Sequence, residues 1–150
     1  MDSARLIERL QLTPHPEGGF YKEVFRDLAR VRFADGRERS AGTTIYYHLP
    51  EGTFSAFHRL RATEIWHRYG GGALRLHILG LDSLVLDEAN PQAVVPANTW
   101  QAAELVGPGV LCGCTVFPGF ELEDFELAGP EALLRQFPEQ RAIIERLARR

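Results

Sequence analysis

A chain of 150 residues is long enough for one domain with a single sizeable core. Apolar residues make up 45% and charged residues 25%, and the formal net charge is −3, so the composition gives no general pull toward nucleic acid or an anionic membrane surface. No apolar run approaches the ~18 residues that a membrane span needs.

The chain opens with MDSARLIERLQL, where charges interrupt the apolar stretch that a signal peptide requires. The pattern predicts a short amphipathic helix, capped by Asp2 or Ser3, with Leu6, Ile7 and Leu10 as its apolar stripe. TPHPEGG follows, and its prolines and glycines break any regular element. From Phe20 onward short strands are predicted: FYKEVFR, TTIYYHL, TFSAFHRL, EIWHRY, ALRLHIL, SLVLDE, AVVP, TWQAAEL and VLCGCTVF. Turn chemistry separates them, including GGG between EIWHRY and ALRLHIL and GPG between TWQAAEL and VLCGCTVF. ARVRFADGRERS reads as an exposed loop or a hairpin turning at Asp35-Gly36. Cys112 and Cys114 in LCGCTV are same-face neighbours, and a disulfide between them would be strained and close almost no loop. They read as reduced core thiols, the usage of a cytoplasmic protein. The tail GPEALLRQFPEQRAIIERLARR places Pro near two helix starts, with Ile143, Ile144 and Leu147 on one face, and is expected on the outside of a barrel. No repeat, linker or low-complexity tract divides the chain, so residues 1–150 are read as one domain. Many short strands joined by Gly, Pro and Asn turns predict an all-β sandwich or barrel.

One stretch concentrates chemistry. FHRLRATEIWHRYGG carries His58, Glu64 and His67 on two adjacent predicted strands. Strand alternation puts Ala56, His58 and Leu60 on one face, with Phe57 and Arg59 on the other. On the next strand Glu64, Trp66 and Arg68 share a face, and Ile65, His67 and Tyr69 share the opposite one. The stretch therefore offers one histidine and one glutamate to a common centre.

The spacing resembles the cupin superfamily. Its first motif runs glycine, five residues, His-x-His, three or four residues, glutamate, six residues, glycine. Here Gly52, His58, Leu60, Glu64 and Gly71 stand at those intervals. Its second motif runs glycine, five residues, proline, one residue, glycine, two residues, histidine, matched in position by Asn90, Pro96, Asn98 and Gln101. Leu60 replaces the second histidine and Gln101 the third. Asn90 and Asn98 stand where glycine is usual, and asparagine tolerates the left-handed turn conformation. PHPEGGFY, ATEIWHRY, VVPANTWQAAE and GCTVFPGFELEDFEL further resemble a family of small single-domain cupins of unsettled activity. That resemblance implies a jelly roll, or double-stranded β-helix, with a short N-terminal helix and a helical tail. It also implies a homodimer with an accessible pocket inside the barrel.

Within that frame His58 and Glu64 are the candidate catalytic pair, the carboxylate orienting the ring as in cupins that epimerise sugars without metal. Tyr46 is a candidate second acid, grouped on its strand with Thr44 and His48. Gln101, Trp66 and Glu17 join them as ligand-binding candidates, with Glu17 placed to close over the barrel mouth. A metal would have His58, Glu64 and Gln101, a weak set beside the three good ligands usual for catalytic zinc. The cofactor expected is thus none or a weakly bound divalent ion. Three functions stay open: a metal-independent isomerase or epimerase acting on a small polar metabolite or sugar derivative, a metal-dependent dioxygenase or isomerase with a reduced ligand set, and a non-catalytic ligand binder. The expected partners are a small molecule and a second copy of the chain, with no nucleic acid and no membrane. An outward row of Phe57, Ile65 and Tyr69, with Trp100, is expected to face the second copy.

Overall fold

The computed structural model describes residues 1–149. In chain order the elements are α1 (Ser3–Leu10), β1 (Thr13–Pro14), β2 (Phe20–Arg26), β3 (Arg30–Arg32), β4 (Glu38–Ser40), β5 (Thr43–Leu49), β6 (Phe54–Leu60) and β7 (Thr63–Ile78). Then follow β8 (Leu84–Leu86), β9 (Gln92–Val95), β10 (Gln101–Phe117), β11 (Phe125–Leu127), α2 (Pro130–Gln136) and α3 (Arg141–Leu147). Asp2 caps α1 by accepting from the Arg5 amide at 3.1 Å. β3 and β4 form the hairpin around Asp35-Gly36. No described helix is long and apolar enough to cross a membrane.

Two long strands organise the jelly roll. The first part of β7 pairs with β9 on one side and with the last part of β10 on the other, and β10 continues to β5 and β2. The second part of β7 pairs with β8 and with the first part of β10, which continues to β6 and β11. All these pairings are antiparallel. The two strands thus pass from one sheet into the other without ending. This corrects the turns predicted at GGG and GPG: neither is a turn. Gly70–Gly72 lies against Gly107–Gly109, where the β7–β10 register shifts between Val106 and Val110. A Cβ on Gly71, at φ 88°, would strike the Gly109 carbonyl, and one on Gly72 would strike that of Pro108. Glycine is required there because two backbones touch as they bend together.

Between the sheets the core packs Tyr47, Leu49, Trp66, Leu74, Leu76 and Val110, with both cysteines buried and unpaired beside them. Each such large side chain contributes about 1.5–3 kcal/mol by leaving water. A second cluster lies outside the barrel, where α2 and α3 cover Phe57, Trp100 and Ala102 with Leu133, Ile144 and Leu147. The tail therefore sits where the sequence puts it, and it corrects two expectations. Phe57 is fully buried and Trp100 nearly so, with Arg59 stacked 4.5 Å over its ring, so neither is open to a second subunit.

At one end of the barrel Phe33, Phe120 and Phe125 pack around Leu60, Ala62 and Val116. The segment from Pro118 to Asp124 crosses this end as a strap. Arg39 clamps Asp124 through two hydrogen bonds, 2.7 and 2.9 Å, with both side chains buried. Arg26 holds Glu121 at 3.0 Å and the Phe120 carbonyl at 2.9 Å.

Candidate functional site

The loop PHPEGG delivers a carboxylate into the barrel. The Ala56 amide donates to the Glu17 carbonyl at 2.7 Å, and the Tyr47 hydroxyl donates to that of Gly18 at 2.6 Å. Side chains on Gly18 and Gly19 would strike the Phe54 and His48 carbonyls, so the two glycines let the loop lie flat on the neighbouring backbone. Glu17 is left 5% exposed, with Oε2 2.7 Å from His58 Nδ1 and accepting from Ser55 Oγ at 2.9 Å.

His58 Nδ1 also lies 2.7 Å from the Ala56 carbonyl. Both neighbours are acceptors, so Nδ1 carries the proton. Nε2 has no hydrogen-bond partner among the described residues, and the ring lines a cavity. Phe125 stacks on the ring at 5.5 Å and 26°. The carboxylate that orients His58 is therefore Glu17, not Glu64 as the spacing suggested.

Glu64 comes from the first part of β7, in the sheet facing β6. Its Oε1 accepts from Gln101 Nε2 at 2.9 Å, and Gln101 Oε1 accepts the Trp66 indole N–H at 2.9 Å. Glu64 Oε2 takes no hydrogen bond among the described residues, and Glu64 lines the same cavity as His58. A chain of Trp66, Gln101 and Glu64 thus fixes one carboxylate oxygen and leaves the other to the interior.

Burial and mutual charge set the protonation. Burial works against a charged His58, but the Glu17 and Glu64 carboxylates overcome it and raise its pKa to about 9. Burial pushes Glu17 up, yet the adjacent imidazolium brings it below the ordinary carboxylate range. Glu64 lacks so close a counter-charge, and burial raises it to about 7, with His58 acting against the rise and Glu17 adding to it. Burial lowers His15, whose Nδ1 accepts the Glu17 amide at 3.2 Å, so that ring is neutral. Near neutrality the site holds an ionised Glu17, a protonated His58 and a Glu64 close to its midpoint.

The cavity also takes in His15, Tyr21, Ile45, Cys114, Phe120 and Phe125. The cavity is small, about 30 Å³, room for a water or two, so a larger guest enters only as the aromatic mouth of Tyr21, Phe120 and Phe125 gives way. Three of the candidate residues meet here: His58, Glu64 and Glu17. Tyr46 does not. On β5 the inward residues are Thr43, Ile45 and Tyr47, and Tyr46 lies on the outer face against Tyr69, ring centroids 6.4 Å apart. The alternation that groups Tyr46 with Thr44 picks the outer face, and either register of TTIYYHL carries a tyrosine. Trp66 packs on Tyr47 in the core, 5.5 Å and 89° between rings, and is not on the cavity wall. Gln101 is behind Glu64 with both ends of its amide engaged. His15 and Ser55 carried no spacing signal; only the closure of the loop onto β6 brings them in.

The donor set does not fit a resident metal. Gln101 Oε1 accepts the Trp66 indole N–H and Leu60 offers an alkyl group, which leaves only His58 Nε2 and Glu64 Oε2 of the set free, short of the three good ligands usual for a catalytic ion. Among the described residues no three His, Cys, Asp or Glu side chains are grouped to hold an ion.

No curated protein matches this chain. Its fold is similar to that of a hypothetical protein from Leishmania major, with TM-score 0.93, 29% identity and 99% of both chains covered. A protein from Shewanella oneidensis is similar at TM-score 0.89 and 33% identity, over 99% of this chain and 98% of that one. A conserved protein with a double-stranded β-helix domain from Klebsiella pneumoniae matches in fold alone, at TM-score 0.59 and 16% identity, over 81% of this chain and 93% of that one. The family model described as Cupin superfamily (DUF985) matches residues 4–128, and the chain belongs to that family.

Proposed function

We propose that the protein is an acid/base enzyme, an isomerase or epimerase, that shifts a proton on a small polar molecule without a resident metal. The observation that carries this reading is that Glu64 and His58 line one cavity from facing sheets, each polarised differently by its surroundings. Glu64, with its pKa near 7, takes a proton from carbon beside a carbonyl. His58, protonated to about pH 9, donates from Nε2 to the carbonyl oxygen. Glu64 then returns its proton to the neighbouring carbon while the hydroxyl there gives its proton to His58, which completes an isomerisation; return to the opposite face of the first carbon, after the intermediate has turned, gives an epimerisation. Glu17 stays ionised and holds the ring.

The test is solvent exchange. Protein in D2O is incubated with a panel of small aldoses, ketoses and amino ketones, and loss of the proton beside the carbonyl is followed by NMR. Exchange with wild type that disappears in Glu64→Gln and His58→Gln is expected. An unchanged panel, or exchange that survives both substitutions, refutes the proposal.

For assembly, we infer that two copies associate through the outer sheet face carrying Ile65 and Tyr69. Support comes from Phe25, Tyr69 and Val94, which are 60%, 55% and 55% exposed on that face. A solvent-facing apolar row of this kind is the usual raw material of a two-fold interface.

A further inference from the structure

The charges around the cavity say what kind of molecule it accepts. Among the described residues no lysine or arginine lines it. Beside the mouth, Arg26 holds the Phe120 carbonyl and is taken up by Glu23 and Glu121, and Arg39 is taken up by Asp124. Inside, Glu17 and His58 cancel as a 2.7 Å pair, and His15 is an acceptor of a backbone N–H and adds no charge. The one charge left without a counter-ion is the Glu64 carboxylate, whose Oε2 is free of protein partners among the described residues. Around it the mouth presents the rings of Tyr21, Phe120 and Phe125.

We propose that the cavity selects a ligand bearing a small alkylammonium group and no phosphate or carboxylate. This rests on the reading of the cavity as the ligand site and adds the ligand's charge. A phosphate or carboxylate entering the barrel would meet both Glu64 and Glu17, with His58, already paired to Glu17, as the single cation, at a dielectric far below that of water. An alkylammonium gains from the carboxylate and from the negative faces of the aromatic rings together. Binding it also keeps Glu64 ionised near neutrality, so the oxygen that recognises the charge is ready as the base. The titratable groups that share the cavity with Glu64 or pack around it are Tyr21 from β2, His58 from β6, Glu17 and His15 from the 15–19 loop, Tyr47 from β5 and Cys114 from β10. Of these, Glu64 is raised to about 7 and His58 to about 9, Tyr47 and Cys114 are pushed up, and Glu17 and His15 are pushed down, so Glu64 is the group poised to change charge near neutrality.

Three near-isosteric probes separate the possibilities: tetramethylammonium, tert-butanol and pivalate, titrated at matched ionic strength and followed by protein NMR. Tetramethylammonium is expected to bind at least about 10-fold tighter than tert-butanol at pH 8, and pivalate most weakly. Its affinity should fall up to about 30-fold by pH 5.5, as Glu64 takes up its proton. Glu64→Gln should remove both the preference for the cation and the pH dependence. Equal or better binding of tert-butanol or pivalate at the His58 and Phe125 signals overturns the charge assignment while leaving a ligand site. So does a cation preference that survives Glu64→Gln. If no probe moves those signals at any concentration, the cavity is not a ligand site, and the proposed function falls with the inference.

Discussion

Replacing Glu64 by glutamine is expected to stabilise the fold in mild alkali and to change it little near pH 4.5. The side chains are nearly isosteric, and the amide oxygen of the substituted glutamine can still accept from Gln101 Nε2, so the hydrogen-bond chain to Trp66 survives. What changes is the cost of a buried carboxylate. A carboxyl whose pKa rises on folding, here from 4.5 to about 7, binds its proton more tightly in the folded state. Stability is then greatest below pH 4.5, declines as the pH climbs to 7, and stays low above that. The decline amounts to about 3 kcal/mol, from 1.36 kcal/mol per pH unit of displacement. Wild type should therefore lose this much, relative to Glu64→Gln, between pH 4.5 and 8. Urea unfolding of both proteins at the two pH values reads the difference directly. A substitution equally destabilising at both would show that Glu64 has a compensating partner in solution, and the assignment of an uncompensated base would fail.

Glu17→Gln should bring the His58 pKa from about 9 down toward or below 6.5, readable by NMR titration of the ring. The loss of stability should be about 2–3 kcal/mol at pH 6, where the raised histidine contributes fully, and should shrink as the pH passes 9; a ring titration that does not move would contradict the 2.7 Å pair. Gly71→Ala should cost about 2 kcal/mol or more, because the residue sits at φ 88° and its Cβ meets the Gly109 backbone, whereas Gly36→Ala, at φ 90° in open space, should cost only about 1. Equal losses in denaturant melts would mean that the two strands can separate at the crossing. Sedimentation should give a dimer for wild type and a monomer for Ile65→Lys with Tyr69→Arg, and a wild-type monomer at micromolar concentration refutes the assembly.

Short-range chemistry made much of this fold readable. Asp2 ahead of α1, Asp35-Gly36 in the hairpin and the prolines at the tail helices act within a few residues of themselves, so their signals survive in the sequence. Asn98 is one of these. It adopts φ 61° where the cupin pattern has glycine, and its amide donates to the Leu60 carbonyl at 2.8 Å. The GGG and GPG segments misled because their glycines answer to each other across the sheet. Nothing local distinguishes that need from a turn's. In the site, alternation sorted His58 from Phe57 and Glu64 from Ile65, since those strands have an obvious anchor. TTIYYHL has none, and the choice of Tyr46 over Tyr47 fell to the wrong side. Glu17 was placed at the mouth, but its grip on His58 depends on a loop folding back across some forty residues of chain. Phe57 and Trp100 looked outward correctly; what covers them is a helical tail whose docking no strand pattern can announce.

The unbroken passage of β7 and β10 through both sheets has a mechanical consequence. His58 and Glu64 stand on opposite leaves of a folded plate whose crease is made of continuous covalent chain. The leaves cannot slide past one another, or part like two separate sheets, without tearing ladder bonds on both sides of the crease. Any widening of the interior must come from the parts that cross its end. The strap from Pro118 to Asp124 is one of these, tied down by Arg26 and Arg39. The distance between acid and base is set by the plate, and admission is left to two arginines.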